Sequence, residues 1–176
     1  MSEIDAPATA PATARVPAPP TARVPADPDR RHWMAVLARA DGAGISEHLA
    51  QWGNPPGFTR LRGPESGLVM VRGRTGGNGA AFNLGEVTVT RCTVRIPGDR
   101  GGPDFVGHAY VTGRDERQAE LAALVDALLQ DPVRRDAVRT AVIEPLARAQ
   151  QQARDLVAAK AAATKVQFFS MRTMRT

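Results

Sequence analysis

The chain has 176 residues with 23 Lys+Arg against 18 Asp+Glu, a net charge of +5 and a sequence pI of about 10.5. That length holds one domain with a real core and hardly two. Cys92 is the only cysteine, so an internal disulfide is excluded; no apolar run approaches the roughly 18–20 residues of a membrane span, and the N-terminus lacks a basic-then-apolar leader. A soluble cytoplasmic protein without a membrane partner is expected. The modest excess of cations suits an acidic partner, whether nucleotide, nucleic acid or acidic protein face, without choosing among them.

Residues 1–28 hold seven of the 14 prolines and eight alanines, and TARVPA occurs at 13–18 and again at 21–26. This composition predicts a disordered or polyproline-like arm in front of a single domain over residues 29–176. The arm carries two arginines against Glu3, Asp5 and Asp27, so the basicity belongs to the domain. Regular structure is expected from Asp27-Pro28 or Asp29, where Asp caps and Pro suits a first helical turn. Trp33, Val36, Leu37 and Ala40 have the spacing of a buried helical face. After Asp41-Gly42, Ile45, Leu49 and Trp52 mark a second short helix, ended by Gly53-Asn54-Pro55-Pro56-Gly57.

From Phe58 the pattern is that of strands: FTRLR, GLVMVRGR, a run from Ala81 to Ile96, and FVGHAYVTG. In the third run the apolar positions change parity, odd at Val87 and Val89 but even at Cys92, Val94 and Ile96. Either a bulge near Arg91 or partial cover on both faces would produce that switch. Short connections predict an antiparallel sheet of about four strands. The last third is helical. Asp115 with Gln118 forms a capping-box pattern ahead of an apolar stripe of Leu121, Leu124, Val125, Leu128 and Leu129. Asp131-Pro132 ends that helix and starts another with Val133, Ala137, Val138 and Val142 on one face, and Pro145 is expected to break or kink the chain after Glu144. A third, Ala-rich helix runs to about Thr164 with only Leu146, Leu156 and Val157 as large apolar residues, as in a helix that packs closely or leans on a partner. Beyond it, Val166, Phe168, Phe169 and Met171 crowd the chain end beside Lys165, Arg172 and Arg175. They either fold back as an edge strand on the domain's own sheet or dock on a partner. The fold class is α+β, an antiparallel sheet packed against N- and C-terminal helices.

The stretch VRGRTGGNGAAF carries the one candidate for anion binding. It has neither the Lys-Ser or Lys-Thr of a P-loop nor a helix after a dinucleotide fingerprint, because it leads into another strand. What remains is a glycine-rich hairpin turn, or a backbone-amide nest of Gly76, Gly77 and Gly79 with Arg72, Arg74 or Arg91 supplying charge. His32, His48 and His108 fall on different elements with no metal-ligand spacing, so no metal is expected. No serine lies in a G-x-S-x-G elbow. Asp115 and Glu116 suit a helix's first turn better than an acid/base pair, and Cys92 reads as a small buried hydrophobe. The residues predict no catalytic group.

The helix RRHWMAVLARA, the block GLVMVRGRTGGNGAAFNLGEVTVTRCTVRI, the segment GHAYVTGRDERQAELAALVDALLQ and the ending KVQFFSMRT together resemble the G-subunit (PhnG) family of the bacterial carbon–phosphorus lyase system. The resemblance runs from about Arg30 to Arg172 and rests most on Arg74-x-Gly76-Gly77-x-Gly79, Thr90-Arg91 and Gly113-Arg114-Asp115. The Pro/Ala-rich arm and the loop from Pro97 to Pro103 depart from it. The resemblance implies a non-catalytic subunit of a phosphonate-catabolic core complex with subunits G, H, I and J. With an ATP-binding-cassette-like partner, that complex exchanges the adenine of ATP for a phosphonate at ribose C1, giving ribose 1-phosphonate 5-triphosphate. The I subunit is expected to carry the nucleosidase-type chemistry and to be the most direct partner. ATP is then a substrate of the complex, and this chain binds no cofactor. The rival readings are a free-standing basic module for phosphate or nucleic acid and a self-sufficient nucleotide enzyme. The first is disfavoured because the few aromatics fall on apolar faces rather than between basic residues.

Overall fold

The computed structural model describes residues 27–53, 55–98 and 101–166. The Pro/Ala-rich arm up to residue 26, and Phe168, Phe169 and Met171, lie outside the described residues. The elements are α1 (Pro28–Leu37), α2 (Gly42–Trp52), β1 (Thr59–Arg74), β2 (Ala81–Ile96), β3 (Phe105–Thr112), α3 (Glu116–Gln130), α4 (Arg135–Val138), a π-helical turn (Arg139–Ile143) and α5 (Glu144–Ala163). The three strands form one antiparallel sheet in the order β1-β2-β3, so the α+β class is as expected.

Three strands stand where about four were expected, because FTRLR and GLVMVRGR are one continuous strand. Gly63-Pro64 reads as a turn, but β1 is an edge strand, and there a proline's missing donor interrupts no ladder. The extra residues are absorbed as register shifts between Arg60 and Arg62 and between Arg62 and Glu65. β2 pairs with β3 in unbroken register from Val89 to Ile96, and the shift that ends at the Glu65–Arg91 pair puts the extra residue in β1, so β2 itself has no bulge near Arg91. The parity change has another origin. Thr90, Cys92, Val94 and Ile96 face the core, whereas Val87 and Val89 belong to the opposite face.

Local signals start the helices. Asp27 accepts from the Asp29 amide (3.0 Å), Asp41 from Gly44 (2.6 Å) and Asp115 from Gln118 (2.8 Å). Only half of the capping box at Asp115 forms. The Gln118 side chain turns away to the carbonyls of Leu37, Ala38 and Ala40, satisfying the frayed end of α1 from α3. Asp131 ends α3, accepting from the Val133 amide (2.9 Å) and from the Arg134 side chain. Pro145 does not break the chain. The turn before it widens so that the Glu144 amide donates to the Arg139 carbonyl, five residues back, and helix continues into α5.

α3 is the middle layer. One side covers the sheet, the other meets α1, α2 and α4, and Ala122 to Leu129 are buried without interruption. A helix covered all round must be apolar all round, and burial of each leucine contributes about 1.5–3 kcal/mol. Asp126 is the exception, with no exposed surface at all. Its carboxylate accepts from Arg30 Nε (3.1 Å) and Nη2 (2.7 Å), Trp33 Nε1 (2.9 Å), the His108 amide (2.9 Å) and Gln130 Nε2 (3.3 Å). Gln130 Nε2 also donates to the Val106 carbonyl (2.7 Å). α3 thus closes the outer edge of β3 with side chains, and α1 is latched to the same carboxylate.

Two substitutions separate these constraints. Asp126→Ala strands the Trp33 and His108 donors in the core and is expected to cost about 3–5 kcal/mol in urea denaturation. Arg30, whose side chain is 36% exposed, can turn to water and contributes less. At Gly107 an added Cβ would lie 2.0 Å from the Ala123 carbonyl oxygen and 2.5 Å from the Ala127 nitrogen. Gly107→Ala must push β3 off α3, and a loss of about 1–3 kcal/mol in the same assay is the expected result.

Candidate functional site

β1 and β2 are both 16 residues long, but β3 pairs with β2 only from Val89 onward. Residues 67–88 therefore form a two-stranded ribbon beyond the body of the sheet, running roughly 25 Å at 3.3 Å per residue. Its root is polar. Buried Thr90 donates to the Gly113 carbonyl (2.7 Å) and shares a hydrogen bond with Ser66 (2.8 Å), while the Gly113 amide donates to Thr88 (2.9 Å). Gly113 takes a positive φ of 101° at this crossing, the conformation that leads β3 into the cap of α3.

Beyond the root the ribbon's outer face is apolar, while its other face sets Leu68 and Met70 against Thr88 and Glu86. Val69, Val71 and Val87 share the outer face, where Leu84, displaced by a register shift, lies over Gly73. Leu68 and Met70 continue the core face past the end of its helical cover. Leu68 (65%), Leu84 (61%), Val69, Met70, Phe82 and Val87 are all exposed. Elsewhere, the half of α5 beyond Gln150 is exposed with Leu156 and Val157, as is Val166, the one described member of the expected terminal docking group.

The residues considered for anion binding divide into two places. Arg72, Arg74, Gly76, Gly77 and Gly79 come together at the ribbon's end. Gly76 and Gly77 have φ of 59° and 81°, the Gly79 amide donates to Thr75 (3.0 Å), and Arg74 Nη1 donates to the Gly79 carbonyl (3.1 Å). Arg91 is not among them. It sits opposite Glu65, seven residues before Arg72 along β1 or roughly 23 Å away, and is ion-paired with Glu65 at 2.7 Å. The hydrogen bond and charge of Glu65, with a smaller part from Tyr110, raise the Arg91 pKa. Glu65, Arg91 and Tyr110 line a shallow hollow of about 170 Å³ at the ribbon's root with Ser66, Leu68 and Val89.

Cys92 lies in the core and donates to the Arg62 carbonyl (3.4 Å). Burial first, and the negative charge of Glu120 second, push its thiol above the ordinary range, which keeps it protonated near neutral pH. Glu120 itself is paired with Arg60, holding the start of β1 to α3. His108 faces Thr93 across the outer sheet face, its Nδ1 3.2 Å from the hydroxyl. Among the described residues, no three His, Cys, Asp or Glu side chains group as metal ligands, and no helix is long and apolar enough to cross a membrane.

The ribbon, not a catalytic cluster, is the feature that comparison with known proteins has to explain. A model of the family described as "Phosphonate metabolism protein PhnG" matches residues 28–173, covering the body, the ribbon and α5. The chain belongs to this family. It is also 42% identical over 142 residues to the alpha-D-ribose 1-methylphosphonate 5-triphosphate synthase subunit PhnG of Rhizobium meliloti (strain 1021), across 81% of this chain and 87% of that one. Both matches take in the glycine turn and the Gly113-Arg114-Asp115 crossing within a domain-length alignment. The sequence shows the two strands and their glycine-rich turn but not that they extend past β3, which pairs only from Val89 onward. The ribbon's signal is the unbroken apolar run Leu68-Val69-Met70-Val71, which matches a strand covered on both faces.

At the ribbon's end the demands are conformational. Gly77→Val forces a branched side chain into positive φ and is expected to cost about 1 kcal/mol or more. Arg74→Ala removes one exposed hydrogen bond and should stay within about 0.5 kcal/mol of the parent. Thermal melts of the two variants side by side check the contrast.

Proposed function

We propose that the chain is a non-catalytic subunit of a ribose 1-phosphonate 5-triphosphate synthase, the core of a cytoplasmic carbon–phosphorus lyase system. The observation that carries this reading is the 42% identity, over most of both chains, to a protein named as a subunit of such a synthase. In the reaction a phosphonate oxygen replaces adenine at ribose C1 of ATP. The C1–N bond breaks, a C1–O bond forms, and adenine leaves with a proton. ATP and the phosphonate are substrates of the assembly, and this chain holds no cofactor. Its partners are the H, I and J subunits, the I subunit most directly, with an ATP-binding-cassette-like subunit joining the whole. The exposed apolar ribbon supports a subunit role, because apolar surface of this extent is ordinarily covered by another protein.

The full chain alone, mixed with ATP and methylphosphonate, should release no adenine. The same mixture with the co-expressed subunits should release it, and omission of this chain should abolish turnover. Adenine quantified by chromatography decides. Turnover by the chain alone would overturn the non-catalytic role, and full turnover without it would overturn membership of the working assembly.

A further inference from the structure

We infer that the ribbon of residues 67–88 is the element that joins this chain to its assembly, inserting into an apolar, acid-rimmed cleft of a different subunit that covers both ribbon faces. This rests on the subunit reading above and names the surface through which it works. Three observations carry it. Leu68-Val69-Met70-Val71 is a continuous apolar run, the pattern of a strand buried on both sides, yet among the described residues no helix or strand covers either ribbon face. A two-stranded ribbon without a covering layer is at best marginally stable in water, so a second layer is required from outside. Among the described residues, six of the thirteen exposed large apolar side chains fall within this one hairpin, whereas single exposed apolar residues are ordinary.

Charge selects the partner. The ribbon carries Arg72 and Arg74 against Glu86, and residues 29–176 carry 21 Lys+Arg against 15 Asp+Glu. A groove of about 590 Å³ between α1 and α5 has an apolar floor of Ala35, Ala147 and Ala153, but its rim is His32, Arg39 and Arg154. At this groove a second copy would meet the ribbon with charge of its own sign, and the groove of about 420 Å³ on α2 that holds Glu47 and Asp115 also carries Arg117. Arg72, which has no ion pair among the described residues, fits a cleft edged by carboxylates.

The test places one charge on each face of the ribbon in the full chain, Val69→Glu on the outer face and Met70→Glu on the other. Val133→Glu, at a still more exposed residue between α3 and α4, is the control. Each protein is co-expressed with the other synthase subunits and recovered through a tag on a partner. The ribbon variants should each recover at least about tenfold less than the parent, while the control recovers fully. Hydrogen exchange of the parental chain, free and assembled, should show residues 67–88 gaining protection on assembly, a readout that does not depend on how any variant folds. Normal recovery of both ribbon variants, or unchanged exchange in the ribbon, would overturn the inference while leaving the subunit reading intact. A ribbon-dependent dimer of the free chain that gives the ribbon its protection would also overturn it, in favour of a second copy. Failure of the parent to recover with any subunit would overturn the subunit reading and this inference together.

Discussion

The fold hangs on one buried carboxylate. Taken out of water, Asp126 would be costly unless its lone pairs were filled, and they are filled by donors from three elements: Arg30 and Trp33 of α1, His108 of β3 and Gln130 of α3. Apolar packing alone would let α1 slide or rotate by a fraction of a turn at little cost. A guanidinium fork and an indole N–H, three residues apart and aimed at one carboxylate, permit a single register. The same carboxylate and Gln130 take up the outward amide of His108 and carbonyl of Val106, so the sheet is closed on its β3 side.

Closure on that side leaves the sheet open on the other. β1 is a 16-residue edge, and the ribbon carries its last half, residues 67–74, out past the body of the sheet. The body and ribbon follow opposite rules. In the body, Thr90, Cys92, Val94 and Ile96 alternate with half-buried or exposed residues, as a one-sided sheet requires. Along the ribbon's first strand, from Leu68 to Val71, the alternation disappears although among the described residues no element covers either face. A chain that satisfies its local rules everywhere except in one hairpin is consistent within a larger structure rather than alone.

The parts legible in the sequence are those decided within a few residues. The caps at Asp27 and Asp115, the buried set of Trp33, Val36, Leu37 and Ala40, and the burial of Cys92 all follow from local spacing. What was hidden depends on partners distant in sequence. Gly63-Pro64 is a turn signal that an edge strand tolerates, which turned one strand into two. Gln118 looks like the second half of a capping box, but the end of α1, some 80 residues earlier, offers it better acceptors. Asp126 is a lone acid inside ALVDALLQ, and its burial becomes intelligible only once Arg30 and Trp33 arrive 93 to 96 residues away. Arg91 was grouped with the glycine turn because both lie in one basic stretch; the hairpin register separates them and gives Arg91 to Glu65.

The root of the ribbon connects these two regimes. Ser66, Thr90 and Gly113 cross-link β1, β2 and the start of the turn into α3, the helix that carries Asp126. The direction in which the ribbon leaves the body is therefore set by the same core that latches α1 in place. A freely hinged hairpin would have to lose orientational entropy as well as bury its side chains when it docked. One rooted in hydrogen bonds around the buried Thr90 hydroxyl loses less, so more of the apolar burial appears as affinity. The two roles then divide between the residues of one strand. In β2, Thr90 to Ile96 hold the body together, and Ala81 to Thr88 present what the body leaves uncovered.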